Sequence, residues 1–219
     1  MNFDAQFRSA KNIFNLPNSL TLFRIALVPV IAFLLEIEVK GPSPQHESMW
    51  GITPGKVAAF FIILAGITDL LDGYFARKWS IESLLGKFLD PVADKLLLMV
   101  GLIELMKLER VDAWLAIVLL SRELLITALR GVAAGEGIII SAGQSGKVKL
   151  TFQLTGLGFL MWYGYAFGFQ AYKMGLIILY IALFISLFSG CRYLTDFFRA
   201  LSRKKSLEVD KVIGGSLGD

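Results

Sequence analysis

The amino-acid sequence predicts an all-α integral membrane protein: six transmembrane helices, preceded by an N-terminal amphipathic segment lying on the membrane surface. Three observations carry this. Of the 219 residues, 55% are hydrophobic and the mean hydropathy is +0.63, more apolar sequence than a soluble core of this size needs. The apolar residues fall in six continuous runs close to the length of about 20 residues that takes a helix across a bilayer. None of the runs alternates apolar with polar residues as a barrel strand would, and lipid admits only helices or closed barrels.

The elements follow in order. Residues 1–18, "MNFDAQFRSAKNIFNLPN", contain no apolar run long enough for a cleavable signal. Their Phe3, Phe7, Ile13 and Phe14 suit an interfacial lead-in. The spans are expected at about 19–37, 56–76, 88–107, 111–130, 149–168 and 173–198. "KGPSPQHESMWGITPG" is a loop by its Gly, Pro and Ser. "KLERVD" is a tight turn, and "GVAAGEGIIISAGQSGKVK" a longer glycine-rich connection. The domain is expected to cover residues 1–201, and "SRKKSLEVDKVIGGSLGD", residues 202–219, to be a frayed polar tail in the cytoplasm. The single cysteine, Cys191, excludes an intrachain disulfide and a thiolate metal cluster. Basic residues are spread among the apolar runs instead of forming one stripe, so no nucleic-acid partner is expected.

Six spans put both termini on one side. Arg8, Lys11, Arg77, Lys78, Lys87, Lys147, Lys149, Arg199, Arg203, Lys204 and Lys205 lie there. The other side holds Lys40, Lys56, Lys107, Arg110 and Lys173. The positive-inside rule therefore puts the termini, and the connection between the second and third spans, in the cytoplasm.

That connection carries the chemistry. "DLLDGYFARKWSIESLLGKFLDPVADK" sets Asp69, Asp72, Asp90 and Asp94 where two apolar segments meet. Asp69 and Asp72 are three apart, Asp90 and Asp94 four apart, so each pair shares a helix face. A turn around "RKWSIESLL" opposes the two faces and brings four carboxylates near one point. Four close anions repel unless a cation lies between them. A pair of hard divalent cations would do this: Mg²⁺ prefers carboxylate and phosphate oxygens, and two metals clamp an in-line phosphoryl displacement. Gly73 and Gly86 leave room beside the acids, and Arg77 is placed for a phosphate. Singly, each acid has an ordinary reading. Asp90 before Pro91 resembles a helix N-cap, and Asp94 could pair with Lys95. Four on matched faces are better explained by function, since intramembrane acids are costly.

Asp69, Asp72, Gly73, Ala76, Arg77, Gly86, Asp90 and Asp94 spell D-x2-D-G-x2-A-R-x8-G-x3-D-x3-D without departure. This resembles the signature of the CDP-alcohol phosphotransferases. The resemblance implies a six-helix membrane fold, usually homodimeric. The four aspartates would hold two divalent ions (Mg²⁺, with Mn²⁺ able to stand in) and the CDP diphosphate, and Asp94 would be the base that deprotonates the acceptor alcohol. "NLPNSLTLFRIALVP", "DPVADK", "SRELLITALR" and "GKVK" resemble the phosphatidylglycerophosphate synthase branch, although Gly131 and Leu150 stand where that branch leads one to expect Glu and Thr. This implies CDP-diacylglycerol as donor, sn-glycerol 3-phosphate as acceptor and a role in phospholipid biosynthesis, in a multi-pass protein of the cell (plasma or inner) membrane. Asn18, Thr21 and Ser83 match positions that contact the CDP moiety, with Gly73 and Arg77 beside them. For Asn18 and Thr21 the ordinary alternative is a helix cap.

The acceptor's phosphate needs cations of its own, and the candidates are Arg122, Arg130, Lys147 and Arg192. Arg122 and Arg130 are eight apart, on one face of a helix. The competing reading for each is snorkelling to lipid headgroups. Rivals to the branch are the phosphatidylinositol-phosphate, cardiolipin and phosphatidylserine synthases. A prenyltransferase would need more spans and lacks D-G-x2-A-R. A cation transporter would place its acids near mid-bilayer and leave Arg77 without a task.

Overall fold

The computed structural model describes residues 16–40, 52–79, 84–136, 138, 145–166 and 168–215. Among these are six helices: α1 (Leu16–Lys40), α2 (Pro54–Trp79), α3 (Leu84–Lys107), α4 (Ala113–Gly135), α5 (Ser145–Trp162) and α6 (Ala171–Gly215). The expected interfacial lead-in, up to residue 15, lies outside the described residues. A two-stranded antiparallel ribbon, β1 (Tyr165–Ala166) and β2 (Phe169–Gln170), joins α5 to α6, with Tyr165 opposite Gln170. The described chain is all-α apart from this ribbon. The segments Asn18–Lys40 and Ala171–Lys204 are each long and apolar enough to cross a membrane.

α1 packs on α2 and α3, α2 on α5, α5 on α6, and α6 on α4. The core runs along these seams through Ile31, Leu35, Ile62, Leu98, Leu102, Leu119, Leu157 and Leu179, all essentially without accessible surface. α5 and α6 cross closely at glycines. A Cβ on Gly175 would lie 2.7 Å from Leu160 Cγ and 3.0 Å from the Gly156 carbonyl oxygen. Any side chain there would force α5 and α6 apart.

Pro91 lies inside α3, so Asp90 is a mid-helix residue and not the cap of a new helix. Lys95 Nζ donates to the Pro91 carbonyl at 3.1 Å. α3 ends in a Schellman turn. Glu109 takes the left-handed conformation (φ 55°), its N–H donating to the Met106 carbonyl and that of Arg110 to Leu105.

Two expectations need correction. The apolar run at 149–168 is not one helix: α5 stops at Trp162, where Tyr163, Gly164 and Gly168 all take positive φ and turn the chain into the ribbon. Tyr163, Tyr165 and Ala166 extend the apolar run without extending the helix. The tail beginning at Ser202 does not start as frayed coil either, because α6 continues to Gly215. Its last turns contain good helix formers (Leu, Lys, Glu, Arg), and Lys204 is bonded to the Glu136 carboxylate at 2.8 Å.

At the end of the bundle away from the aspartates, buried charges tie four elements together. Arg110 Nη2 meets Glu38 Oε1 at 2.8 Å, with both side chains buried. Nη1 of Arg110 donates to the Leu160 and Met161 carbonyls at the end of α5, and its guanidinium carbon is 4.2 Å from the Tyr163 ring centroid. Glu38 Oε2 accepts the Gly55 N–H in the first turn of α2. Each group thus satisfies backbone atoms that a helix end leaves unpaired.

Candidate active site

α1 presents one buried stripe: Asn18, Thr21, Arg24, Leu27, Ile31 and Leu35. The spacing of three and four keeps it on a single face. Its second half is core, and its first half is polar, with Thr21 and Arg24 reaching Asp69, Asp90 and Asp94. Arg24 is the hub. It has no accessible surface, yet its Nη1 donates to Asp69 Oδ1 at 2.8 Å and Asp94 Oδ1 at 2.7 Å, and its Nη2 to Asp90 Oδ1 at 3.3 Å. The Thr21 hydroxyl donates to the same oxygen of Asp90. The three carboxylates remain 31%, 24% and 46% exposed for Asp69, Asp94 and Asp90. The guanidinium is therefore a floor, and the carboxylates open outward from it.

Three carboxylates against one guanidinium leave two negative charges to be offset. Each acid uses one oxygen on the Arg24 contact, leaving a second hard oxygen for another partner. Such a donor set suits a hard divalent cation. Among the described residues no group of three or more ligand side chains is arranged to hold a metal ion. The three acids are closed on Arg24, and the side chain of Asp72 lies outside the described residues, although its backbone is in α2.

The structure brings together Asp69, Asp90, Asp94 and Thr21 of the sequence-predicted set. Asn18 is buried one turn before Thr21 on the same face. Both residues sit within α1, and the Thr21 hydroxyl reaches across to Asp90. Gly73 and Arg77 follow Asp72 in α2, with their side-chain surroundings outside the described residues, and Ser83 lies outside them altogether. Lys147 is in α5, its side chain likewise undescribed.

Of the remaining acceptor candidates, Arg122 is nearly buried and its Nη1 donates to Glu123 Oε2 at 3.2 Å. Lys149, buried on α5, bonds the same Glu123 oxygen. The Arg130 guanidinium lies over the Tyr193 ring, 5.5 Å from its centroid. Arg122, Arg130 and Lys149 are within electrostatic reach of one another. Lys95, next to Asp94 in the sequence, acts electrostatically on Glu123 as well. Arg192 is exposed on α6, and among the described residues no contact ties it to Arg122 or Arg130.

A family model described as CDP-alcohol phosphatidyltransferase matches residues 14–188, which takes in the α1 stripe, both aspartate pairs and the cationic cluster. The chain belongs to the CDP-alcohol phosphatidyltransferase family. Three relatives carry the name CDP-diacylglycerol–glycerol-3-phosphate 3-phosphatidyltransferase. The Bacillus subtilis (strain 168) protein is 36% identical over 196 residues, covering 86% of this chain and 98% of the relative. The one from Haemophilus influenzae is 39% identical over 188 residues (83% and 92%), and that from Rickettsia felis 35% over 180 (82% and 93%).

Two parts of this family site escape the sequence reading. Arg24 has no task there, as a lone cation within an apolar helix. Its spacing from Asn18 and Thr21 is nonetheless a signal: three polar residues at intervals of three make one helix face. Lys149 counts in the sequence only as a topology charge and as the last residue of "GKVK". Glu123, the group it pairs with, stands next to Arg122 in "SRE", and only the packing of α4 near α5 reveals the pair.

Proposed function

We propose that this protein transfers the phosphatidyl group of CDP-diacylglycerol to sn-glycerol 3-phosphate, giving phosphatidylglycerophosphate and CMP. The observation that carries the reading is the gathering of Asp69, Asp90 and Asp94 on Arg24, within a chain whose relatives bear that activity in their names. Asp69, Asp72, Asp90 and Asp94 would hold two Mg²⁺ ions, which when bound offset charge on the donor's diphosphate. Asn18, Thr21, Gly73, Arg77 and Ser83 bind the CDP end of the donor. Arg122, Arg130, Lys147 and Arg192, with Lys149, hold the acceptor's phosphate. Asp94 accepts the proton of the acceptor's primary hydroxyl. The freed oxygen attacks the phosphorus next to diacylglycerol, that phosphorus–oxygen bond forms, the bond to the CMP phosphate breaks, and CMP departs with the electron pair. Arg24 keeps the carboxylates from drifting apart between turnovers.

In the same reading α1 to α6 are six membrane spans of a multi-pass protein of the cell membrane, with the residues before α1 on its surface. Residues 1–201 form the membrane domain, and 202–219 are cytoplasmic even where helical. Outward-facing Phe33, Phe60, Ile117, Leu124, Phe184 and Phe188, each at least 59% exposed, support a lipid-facing perimeter, because soluble monomers rarely expose so much apolar surface. The lysine and arginine count places the aspartates toward the cytoplasm, and a homodimer fits the family. The test is purified protein with CDP-diacylglycerol and a panel of acceptors, scored by CMP release with and without chelator. Glycerol 3-phosphate should be preferred, and chelator should abolish release until Mg²⁺ is restored. Preference for inositol phosphate, serine or phosphatidylglycerol would overturn the acceptor assignment and leave only the family chemistry.

A further inference from the structure

Gln153 on α5 has no accessible surface, and among the described residues neither its amide oxygen nor its amide nitrogen has a hydrogen-bond partner. Ser186 on α6 is as deeply buried and its hydroxyl is equally unpaired. Nε of Arg122 is another such atom. Buried polar atoms are nearly always paired, and burying them unpaired carries a desolvation cost with nothing in return. A leucine or methionine would serve the packing better. Polar groups kept at that cost point to a ligand.

The three belong to one place. Gln153 is one helical turn from Lys149, so the two share a face of α5. Ser186 is one turn from Gly190 on α6, and a Cβ on Gly190 would lie 3.1 Å from Arg122 Nε. α5 and α6 run antiparallel with Gly156 against Gly175 and Leu179. That register sets Gln153 opposite the stretch from Ile178 to Ala182, and Ser186 opposite the start of α5, the stretch that ends at Lys149. The unpaired amide and hydroxyl therefore stand beside the cationic cluster of Arg122 and Lys149.

We propose that Gln153 and Ser186 are specificity-determining residues: they bind the secondary hydroxyl of a polyol phosphate whose phosphate rests on Arg122 and Lys149. A hydroxyl both donates and accepts, and a carboxamide offers one group of each kind. Phosphate-binding cations alone select any phosphomonoester, whereas a buried site built for a hydroxyl rejects the analogue that lacks it. The inference rests on the proposed phosphatidyl transfer and adds to it what distinguishes glycerol 3-phosphate from simpler alcohol phosphates.

The test compares glycerol 3-phosphate with 3-hydroxypropyl phosphate, which lacks only the C2 hydroxyl, in wild type, Gln153→Met and Ser186→Ala. Thermal unfolding is followed in the absence of substrates. Wild type should prefer glycerol 3-phosphate. Gln153→Met should lose about tenfold to a hundredfold in kcat/KM for it, keep its donor KM, treat the two acceptors nearly alike, and melt at or above the wild-type temperature. Ser186→Ala should shift the preference in the same direction by less. An unchanged preference in Gln153→Met refutes the proposal, as does a lower melting point with equal losses on both acceptors, which marks a packing role. Wild type that releases CMP with neither phosphate but with another alcohol brings down the proposed activity itself, a result read before any variant is made.

Discussion

Replacing Arg24 with methionine keeps the length and apolar stem of the side chain and removes the charge that gathers Asp69, Asp90 and Asp94. The loss can be sized from the geometry. Arg24 is fully buried, and among the described residues it makes three contacts of 2.7–3.3 Å with carboxylates. Removing one partner of a buried ion pair costs roughly 3–5 kcal/mol. The aspartates are a quarter to a half exposed, so water meets part of their need and the lower figure applies, about 3 kcal/mol. For a chain of this size that is a fall in Tm of roughly 6–12 °C. The assay is thermal unfolding of purified Arg24→Met in detergent, metal-free and then with millimolar Mg²⁺. The metal-free variant should melt lower by that amount. Mg²⁺ should raise its Tm by more than it raises that of wild type, because the cation then supplies charge that Arg24 supplied before. Arg24→Lys should recover only part of the loss, since one ammonium lacks the forked guanidinium that meets three acids. A metal-free Arg24→Met that melts within about 2 °C of wild type, or gains no extra protection from Mg²⁺, would mean that the guanidinium is not what holds the three acids together.

Asp69→Asn, Asp72→Asn, Asp90→Asn and Asp94→Asn should each lose most CMP release while still inserting, and near-normal release from any two sinks the two-metal reading; Asp94→Asn should still bind donor, because its base serves only the acceptor step. In a background without Cys191, cysteine at Ser80 should be blocked by a membrane-impermeant thiol reagent only in inverted vesicles, and cysteine at Ser48 only in right-side-out vesicles; the reverse pattern overturns the orientation. Lys147→Ala and Lys149→Ala should each raise the acceptor KM about tenfold to a hundredfold with donor KM steady, the worth of a charge-assisted contact; a rise in donor KM alone would reassign that lysine to the donor.

Local periodicity makes the aspartate pairs legible in the sequence. Asp69 with Asp72, and Asp90 with Asp94, repeat at helical intervals, so both helices can be written down. The six apolar runs predict helices at the right places for the same reason. Features decided between helices are not legible. Arg24 reads as an isolated cation in an apolar segment until α2 and α3 bring three acids against it. Lys149 with Glu123, and the unpaired Gln153 and Ser186, need the packing of α4, α5 and α6. Hydropathy also fails where apolar residues serve a turn: Tyr163 and Gly164 end α5 by backbone conformation, which hydropathy does not register. The continuation of α6 past Ser202 is hidden by the opposite error, since polar residues with good helix propensity look like a tail.

The pairing of Glu38 with Arg110 bears on how the bundle can move. It pins the end of α1, the start of α2, the α3–α4 turn and the end of α5 to one another by charges that cannot separate without being stranded in an apolar setting. A set of rods fastened at one end behaves like forceps: displacement grows with distance from the rivet. The Arg24 floor and the cationic cluster lie toward the free tips, so the opening needed to admit a two-tailed donor, and the closing needed to bring an alcohol against its phosphorus, can come from small bends spread along α1, α2 and α5, with no helix sliding past its neighbour.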